Sequence, residues 1–255
     1  MQSDDKRGKL SIVGIGPGGI AQMTGQAADA IRDAEYVIGN AFYLEQIAPL
    51  LGGQEVIRSS MGREVERAQK CVDLARTHRV VMVSGGDPGV YGMASIVLEV
   101  MNRAGAPVEY EVVPGVTASC AGASLLGSPL TGDHVTLSLS DLLTPWETIE
   151  TRLDLAFLMG VPVALYNPKS HGRPENLSMA LAIALRHRSP GTPVGLVRNA
   201  YRDGQETAVT TLGDLAEDDS AVDMRTLVIV GGTETFRMQD GGMLTPRGYG
   251  RKYVY

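Results

Sequence analysis

The stretch Val80 to Ala94, VVMVSGGDPGVYGMA, holds the residues best suited to chemistry. An apolar run rich in β-branched residues, Val80 to Val83, stops at Gly85, Gly86, Asp87 and Pro88. Paired glycines at a strand end bring bare backbone close to a ligand, because no Cβ stands in the way. In open α/β sheets, ligands sit at such carboxyl ends of strands. Asp87 lies between glycine and proline, a poor place for a merely solvated charge. It reads as a functional acid or as a cap on the turn that follows.

A second loop, GIGPGG, sets Gly14, Gly16 and Gly19 at G-x-G-x-x-G spacing between a strand and a helix. That context suggests a dinucleotide. Two residues oppose it. Asn40 ends the second strand, where Asp or Glu should hold the ribose hydroxyls. Pro17 brings no amide to where pyrophosphate would need one. The loop then reads as a tight turn, or as a turn lining the cleft for a different ligand.

These loops need a scaffold of strands. Leu10 to Gly16 reads as a strand, followed by a helix with Thr24 near its cap and Ala27, Ala28, Ile31 and Ala34 as its apolar stripe. Glu35 to Asn40 is the second strand. Met61 to His78 spaces Val65, Ala68, Val72 and Ala75 as an amphipathic helix. Val80 to Asp87 is a strand, and Ile96, Val97, Val100 and Met101 mark a further helix. Val108 to Gly115 alternates Val108, Tyr110 and Val112 against Glu109 and Glu111 as another strand.

The second half differs. Val135 to Asp141 alternates with period two, so it reads as half buried. Thr144, Pro145 and Glu147 form a capping-box signature for a helix whose inner face is Ile149, Leu153 and Ala156. Val161 to Pro168 is a strand, and Leu177, Leu181, Ala184 and Leu185 mark a helix. Pro193 to Ala200, Glu206 to Leu215 and Thr226 to Gly232 read as strands with little helix between them. This predicts a mixed second sheet beside a mainly parallel first one. The fold class is α/β in two domains, 1–116 with the glycine loops and 117–240, with a junction near Pro114 to Ala123. The tail 241–255 carries Arg247, Arg251 and Lys252 among Tyr249, Tyr253 and Tyr255 without periodicity.

Composition narrows the class. The 255 residues allow one large domain or two of about 100–150 residues. Aromatic residues are only 5%, so the core must be aliphatic. Apolar runs fall far short of the ~20 residues a membrane helix needs. The polar start MQSDDKRGK has no apolar region to suggest secretion, so a cytoplasmic protein is expected. Cys71 and Cys120 lie in alanine-rich apolar surroundings and read as buried free thiols in a reducing compartment. A formal net charge of -6 argues against a general nucleic-acid binder. The four histidines show no metal-ligand spacing, so no protein-bound metal is expected.

Taken in order, VGIGPGG, GGDPGVYGMA, VVPGVTA and ALYNP resemble the tetrapyrrole methylases of the cobalamin pathway, which bind S-adenosylmethionine. Ser138 to Leu153 (SLSDLLTPWETIETRL), ALYNPKSHGRPE and LTPRGYGRKY are similar to the precorrin-3B C17-methyltransferase branch of that family. The resemblance runs from about Leu10 to Tyr253. It implies methylation of carbon 17 with ring contraction to precorrin-4, two α/β domains with the cofactor in a cleft between them, and a homodimer. The cobalt-bearing substrate of the anaerobic route, a methylase for another carbon, and a corrinoid-binding module without turnover are the alternatives. The absence of a cysteine-rich extension favours the metal-free substrate.

Carried over by motif, the resemblance implies cofactor contacts at Pro17, Gly85, Gly86, Asp87, Val90, Tyr91, Thr117, Ala118, Tyr166, Asn199, Ala200 and Thr226. Methyl transfer needs no side-chain nucleophile, since the macrocycle itself attacks. Ring contraction needs a general base. Asp87 is the first candidate, followed by Asp133, Asp141 and His134. Asp141 also reads as a turn former and His134 as a surface residue. The loop LTGDHV departs from the family's Gly-His-Asp-Phe sequence, with Gly132 at the histidine position and His134 beyond Asp133. The substrate's carboxylates suit arginine forks. Arg58, Arg63, Lys169, Arg173, Arg198 and Arg247 are the candidates, each with a solvated-surface alternative.

Overall fold

The computed structural model describes residues 8–105 and 107–254. Residues 1–7 of the polar N-terminus and Tyr255 of the tail lie outside them. The chain divides into two compact units, one ending at Ala118 and one beginning at Ser119. Among the described residues no helix is long and apolar enough to cross a membrane.

In the first unit, β1 (Lys9–Gly14), β2 (Tyr36–Asn40), β3 (Glu55–Ser59), β4 (Arg79–Ser84) and β5 (Glu109–Val113) form one sheet in the order β3-β2-β4-β1-β5. Every pairing is parallel. A parallel sheet is covered on both faces, which is why its central strands are apolar without alternation. Val13, Val37, Val81 and Val83 pack with Ala27, Ile31 and Leu44 of α1 (Gly25–Asp33) and α2 (Ala41–Gln46). Leu10, Ile12, Ile38 and Met82 pack with Ala68, Val72, Val97 and Val100 of α3 (Glu64–Leu74) and α4 (Ala94–Arg103). Helix α1 starts where Thr24 Oγ1 accepts from the Ala27 amide at 3.2 Å. Its loop leaves β1 toward one face, whereas the loop after β4 leads to α4 on the other.

Three expectations change here, beginning with Cys120, which is exposed where a buried thiol was expected. Strand β3 adds a sheet edge that the sequence pattern does not announce, since its half-exposed residues show no clean period. Val65 does not join the inner face of α3; it is 61% exposed, and Arg67 and Cys71 are buried instead. Tyr110 and Val112 are exposed while Val108 and Val113 are buried. β5 lies at the sheet edge, and Tyr110 and Val112, two apart and so on one face, are left uncovered there.

The second unit contains α5 (Ala118–Leu126), β6 (Gly127–Ser128), β7 (Val135–Ser138), α6 (Trp146–Leu158), β8 (Val163–Tyr166), α7 (Asn176–Leu185), β9 (Pro193–Arg198), β10 (Glu206–Thr211), α8 (Leu212–Glu217), β11 (Thr226–Val230), β12 (Phe236–Arg237) and β13 (Met243–Leu244). Its main sheet runs β10-β9-β11-β8-β7, with β7 and β8 parallel and the other pairs antiparallel. Leu153, Phe157, Leu177 and Leu181 of α6 and α7 bury one face against Leu165, Val194 and Val228. Leu126 of α5 packs on the other face with Val197, Leu227 and Ile229. Gly122 lets α5 sit close, since a Cβ there would lie 2.4 Å from Leu227.

The capping box of α6 is not formed. Pro145 is itself the N-cap with ψ of 143°, and no side chain caps the helix. Proline also disfavours helical backbone at the residue before it, so Thr144 stays outside. The segment Glu206 to Leu215 is a strand only as far as Thr211. Thr211 Oγ1 then accepts from the Asp214 amide at 3.2 Å and starts α8. Met243 of the tail is fully buried, and β13 pairs with β6 and β12.

Candidate functional site

The loops after β1, β4 and β5 converge at the carboxyl edge of the first sheet, where the chain leaves β1 and β4 toward opposite faces. Ligands of open α/β sheets bind at such a switch point. Gly16 N donates to Gly86 O at 3.1 Å, and Gly86 N donates to Gly16 O at 2.8 Å. Both glycines have positive φ, 75° and 63°. A Cβ on Gly115 would lie 2.2 Å from Gly86 O, and one on Gly14 would lie 2.7 Å from the same atom. The three strand ends therefore meet backbone to backbone, which only glycine allows. Tyr43 lies against Gly85, where a Cβ would come within 2.3 Å of its ring.

Asp87 is central to this edge. Its Oδ1 accepts from the Gly89 amide at 2.8 Å and its Oδ2 from the Gly115 amide at 3.0 Å. The carboxylate so ties the β4 loop to the β5 loop. Val90 and Tyr91 follow in the same loop. Tyr91 adopts φ of 52° and is 55% exposed. Left-handed backbone at a bulky residue is costly and clusters at functional sites. Pro17 is buried within the β1 loop, and Thr117 and Ala118 follow the β5 loop. Asn40 ends β2, but its Oδ1 accepts from the Phe42 amide at 2.9 Å and starts α2. A helix cap occupies the place of the ribose-binding acid, which removes the dinucleotide reading.

In the second unit, β8 and β9 run the same way and β11 runs against them. Tyr166, Asn199, Ala200 and Thr226 thus share one edge of the sheet. Asn167, Asn199 and Tyr201 all have positive φ there, 53°, 49° and 58°. Tyr166 accepts from the Ser119 amide through its hydroxyl at 2.7 Å. Thr226 Oγ1 donates to Asp223 Oδ1 at 2.9 Å, and Arg198 Nε donates to Asp223 Oδ2 at 3.0 Å. Burial pushes the Asp223 carboxyl up, but hydrogen bonds from the Arg225 amide, Thr226 and Arg198 outweigh it and hold the group below its ordinary value. Asp141, after β7, lies at this edge too, 3.8 Å from Arg173 Nε.

Asp133 and His134 are elsewhere. They precede β7, whose Val135 is level with Val163 at the start of β8, while Ser138 is level with Tyr166. A strand of that length separates them from Tyr166 by roughly 10 Å or more at ~3.3 Å per residue. Asp133 instead lines a cavity of about 220 Å³ with Arg247, Arg251 and Glu234.

The cations divide similarly. Lys169 Nζ binds Asp219 Oδ1 at 2.6 Å, and Arg173 and Arg198 hold Asp141 and Asp223. Their charges are committed within the fold. Arg63 pairs with Glu66 at 3.0 Å, but both side chains are more than 60% exposed. Such a pair contributes little and leaves Arg63 available. Sequence reading missed Tyr43, Gly115 and Arg67. Only Gly115 carried a signal, in the strand-end segment VVPG.

The family model for Tetrapyrrole (Corrin/Porphyrin) Methylases matches residues 9–216. A Salmonella typhimurium protein named probable cobalt-factor III C(17)-methyltransferase is 46% identical over 94% of this chain and 99% of its own. A Sinorhizobium protein named precorrin-3B C(17)-methyltransferase is 40% identical over 95% of this chain and 97% of its own. The solved methyltransferase CobJ superposes with a TM-score of 0.88 at 33% identity, covering 94% of this chain and all of that one. A Thermus thermophilus uroporphyrin-III C-methyltransferase solved with S-adenosyl homocysteine superposes at 0.70 and 25% identity, covering 88% and 92%. The glycine-built strand edge, the match over most of the chain and these relatives place one identity on the molecule: it belongs to the tetrapyrrole (corrin/porphyrin) methylases and is an S-adenosylmethionine-dependent C-methyltransferase.

Proposed function

We propose that this protein methylates carbon 17 of a precorrin-3B-type macrocycle with ring contraction, in cobalamin biosynthesis. The observation that carries the carbon-17 assignment is near-full-length identity to two relatives that both bear C17-methyltransferase names. The higher identity belongs to the relative named for cobalt-factor III, which favours the cobalt-bearing substrate as the second reading.

The first unit's glycine edge fits the methyl donor. Adenosine and an amino-acid end need apolar walls with backbone donors and acceptors. The meeting of Gly14, Gly16, Gly86 and Gly115 keeps side chains off that edge, so a ligand there would meet backbone. Pro17, Gly85, Gly86, Asp87, Val90, Tyr91, Thr117 and Ala118 are the contacts proposed there. Tyr166, Asn199, Ala200 and Thr226 are proposed as cofactor contacts on the resemblance and on the strained backbone beside them. When bound, S-adenosylmethionine supplies an electrophilic methyl group on sulfur.

The chain's own task is to position. Aligning two reactants can remove roughly 7–11 kcal/mol of a barrier. Asp87 holds the loop rather than taking a proton, because both its oxygens accept from backbone amides. Asp141 is the proposed general base for contraction, since it shares an edge with Tyr166 and is partly exposed. Arg63 is the proposed carboxylate contact. Homodimer assembly accompanies this reading on the resemblance, and a cytoplasmic location on the polar start of the sequence.

Thermal unfolding with S-adenosyl homocysteine, and separately with NAD, tests the cofactor assignment. At 100 times its dissociation constant a ligand adds about 2.7 kcal/mol to stability. Stabilisation by S-adenosyl homocysteine alone is expected. Stabilisation by NAD alone would overturn the reading.

A further inference from the structure

Arg67 is the most deeply buried guanidinium beside the candidate site, with its side chain only 4% exposed. It sits on α3 among Ala68, Cys71 and Val72, where a charge has no place unless it is bound. Its Nη1 donates to Ser59 Oγ and to Ser60 O, the latter at 3.2 Å. Its Nη2 reaches Glu64 Oε1 and Met93 Sδ, both at 3.5 Å. Glu64 Oε1 also accepts from the Gly62 amide at 3.0 Å. One buried cation and one carboxylate therefore hold the Ser59 hydroxyl at the end of β3 and the Ser60 carbonyl and Gly62 amide of the loop that follows.

This grip leaves two side chains of the loop facing solvent. Met61 is 73% exposed and Arg63 is 62% exposed. Gly62 adopts φ of 82°, which turns the chain between them. The loop lies at the same carboxyl edge as the glycine loops. Met93 ends the Gly85–Met93 segment and precedes α4, so Arg67 touches both loops.

We infer that Ser59 to Arg63 is a substrate-reading loop, and that Arg67, with Glu64, is the positioning residue that sets it. The inference rests on the methylase reading above. An adaptable thioether beside a guanidinium, set at fixed separation, fits an apolar macrocycle with carboxylate arms. Met61 meets the flat apolar face, and Arg63 takes a carboxylate. The direct bonds go mostly to the β3 loop, so substrate recognition depends on Arg67 more than cofactor binding does.

The test compares wild type with Arg67→Met, which keeps apolar bulk, and Arg67→Lys, which keeps charge without the fork. Amide hydrogen exchange, S-adenosyl homocysteine affinity and steady-state kinetics with precorrin-3B are measured on each. Exchange at Ser59 to Arg63 rises at least tenfold in Arg67→Met. KM for the tetrapyrrole rises about tenfold, and S-adenosyl homocysteine affinity stays within threefold. Arg67→Lys recovers part of both losses. A lowered melting temperature with unchanged loop exchange and unchanged KM would overturn the proposal and leave Arg67 a structural residue. Failure of the methylase reading shows separately, as wild type that binds no S-adenosyl homocysteine.

Discussion

Gly16 and Gly86, seventy residues apart by number, exchange two backbone hydrogen bonds of 3.1 and 2.8 Å. This pair joins the loops that leave β1 and β4 toward opposite faces of the sheet. Gly115 closes the third side, with no room for a Cβ against Gly86 O. Gly115→Ala therefore forces backbone apart. Overpacking of this kind costs about 1–3 kcal/mol. Thermal unfolding of the variant is expected to show that loss together with weakened S-adenosyl homocysteine binding. Wild-type stability and affinity would show that the three loops are not in register.

Asp87→Asn separates holding a loop from taking a proton. Asparagine has one oxygen acceptor where Asp87 uses two, for Gly89 and Gly115. Affinity for S-adenosyl homocysteine is expected to fall about tenfold, or ~1.4 kcal/mol. The pH profile of turnover at saturating cofactor keeps its wild-type shape. Loss of a limb of that profile would make Asp87 the base instead.

The second sheet sorts its acids by edge. Asp141 lies with Tyr166, whereas Asp133 and His134 lie a strand's length away. A general base contributes about a hundredfold or more. Asp141→Asn is expected to slow ring contraction by about that factor. Asp133→Ala and His134→Ala should stay within about threefold. Contraction rates in stopped-flow absorption decide the matter, and the reverse ranking contradicts the assignment.

Glu111 offers a test of the fold by pH. Its hydrogen bond from Lys9 holds the carboxyl below its ordinary value of 4.5, with Ser11 adding to the effect and burial opposing it. A depressed folded pKa means that the group stabilises the fold above its unfolded pKa. That contribution is lost as pH falls through the folded value. Wild type should exceed Glu111→Gln in stability at pH ~7, and the gap should close below pH ~4.5, near the ordinary value. Urea unfolding across that range measures it; a gap independent of pH would rule the pair out.

Much of this was legible from residues. Thr24 caps α1 because threonine before an apolar stripe satisfies an amide, a local rule that needs no tertiary context. The strands around Val81 and Val228 declared themselves by apolar runs. The capping box at Thr144 does not form because Pro145 stands outside the helix, and residue type alone does not fix its ψ. Thr211 and Asp214 repeat a cap-like spacing that strand alternation masked. The site was harder. Asp133 and Asp141 are neighbours in sequence, yet β7 runs between them and sets them at opposite ends of a sheet. Only strand direction separates them. Nothing in the helical pattern around Arg67 marks it as buried, because its burial depends on Ser59 and Met93 from other elements.

The most direct measurement is an anaerobic incubation of the purified protein with S-adenosylmethionine and precorrin-3B, and in parallel its cobalt-bearing counterpart. Products are followed by mass spectrometry and visible absorption. The account predicts a gain of one methyl group with the absorption change of a contracted ring on one of the two substrates. A protein that binds S-adenosyl homocysteine but methylates neither would contradict the carbon-17 assignment.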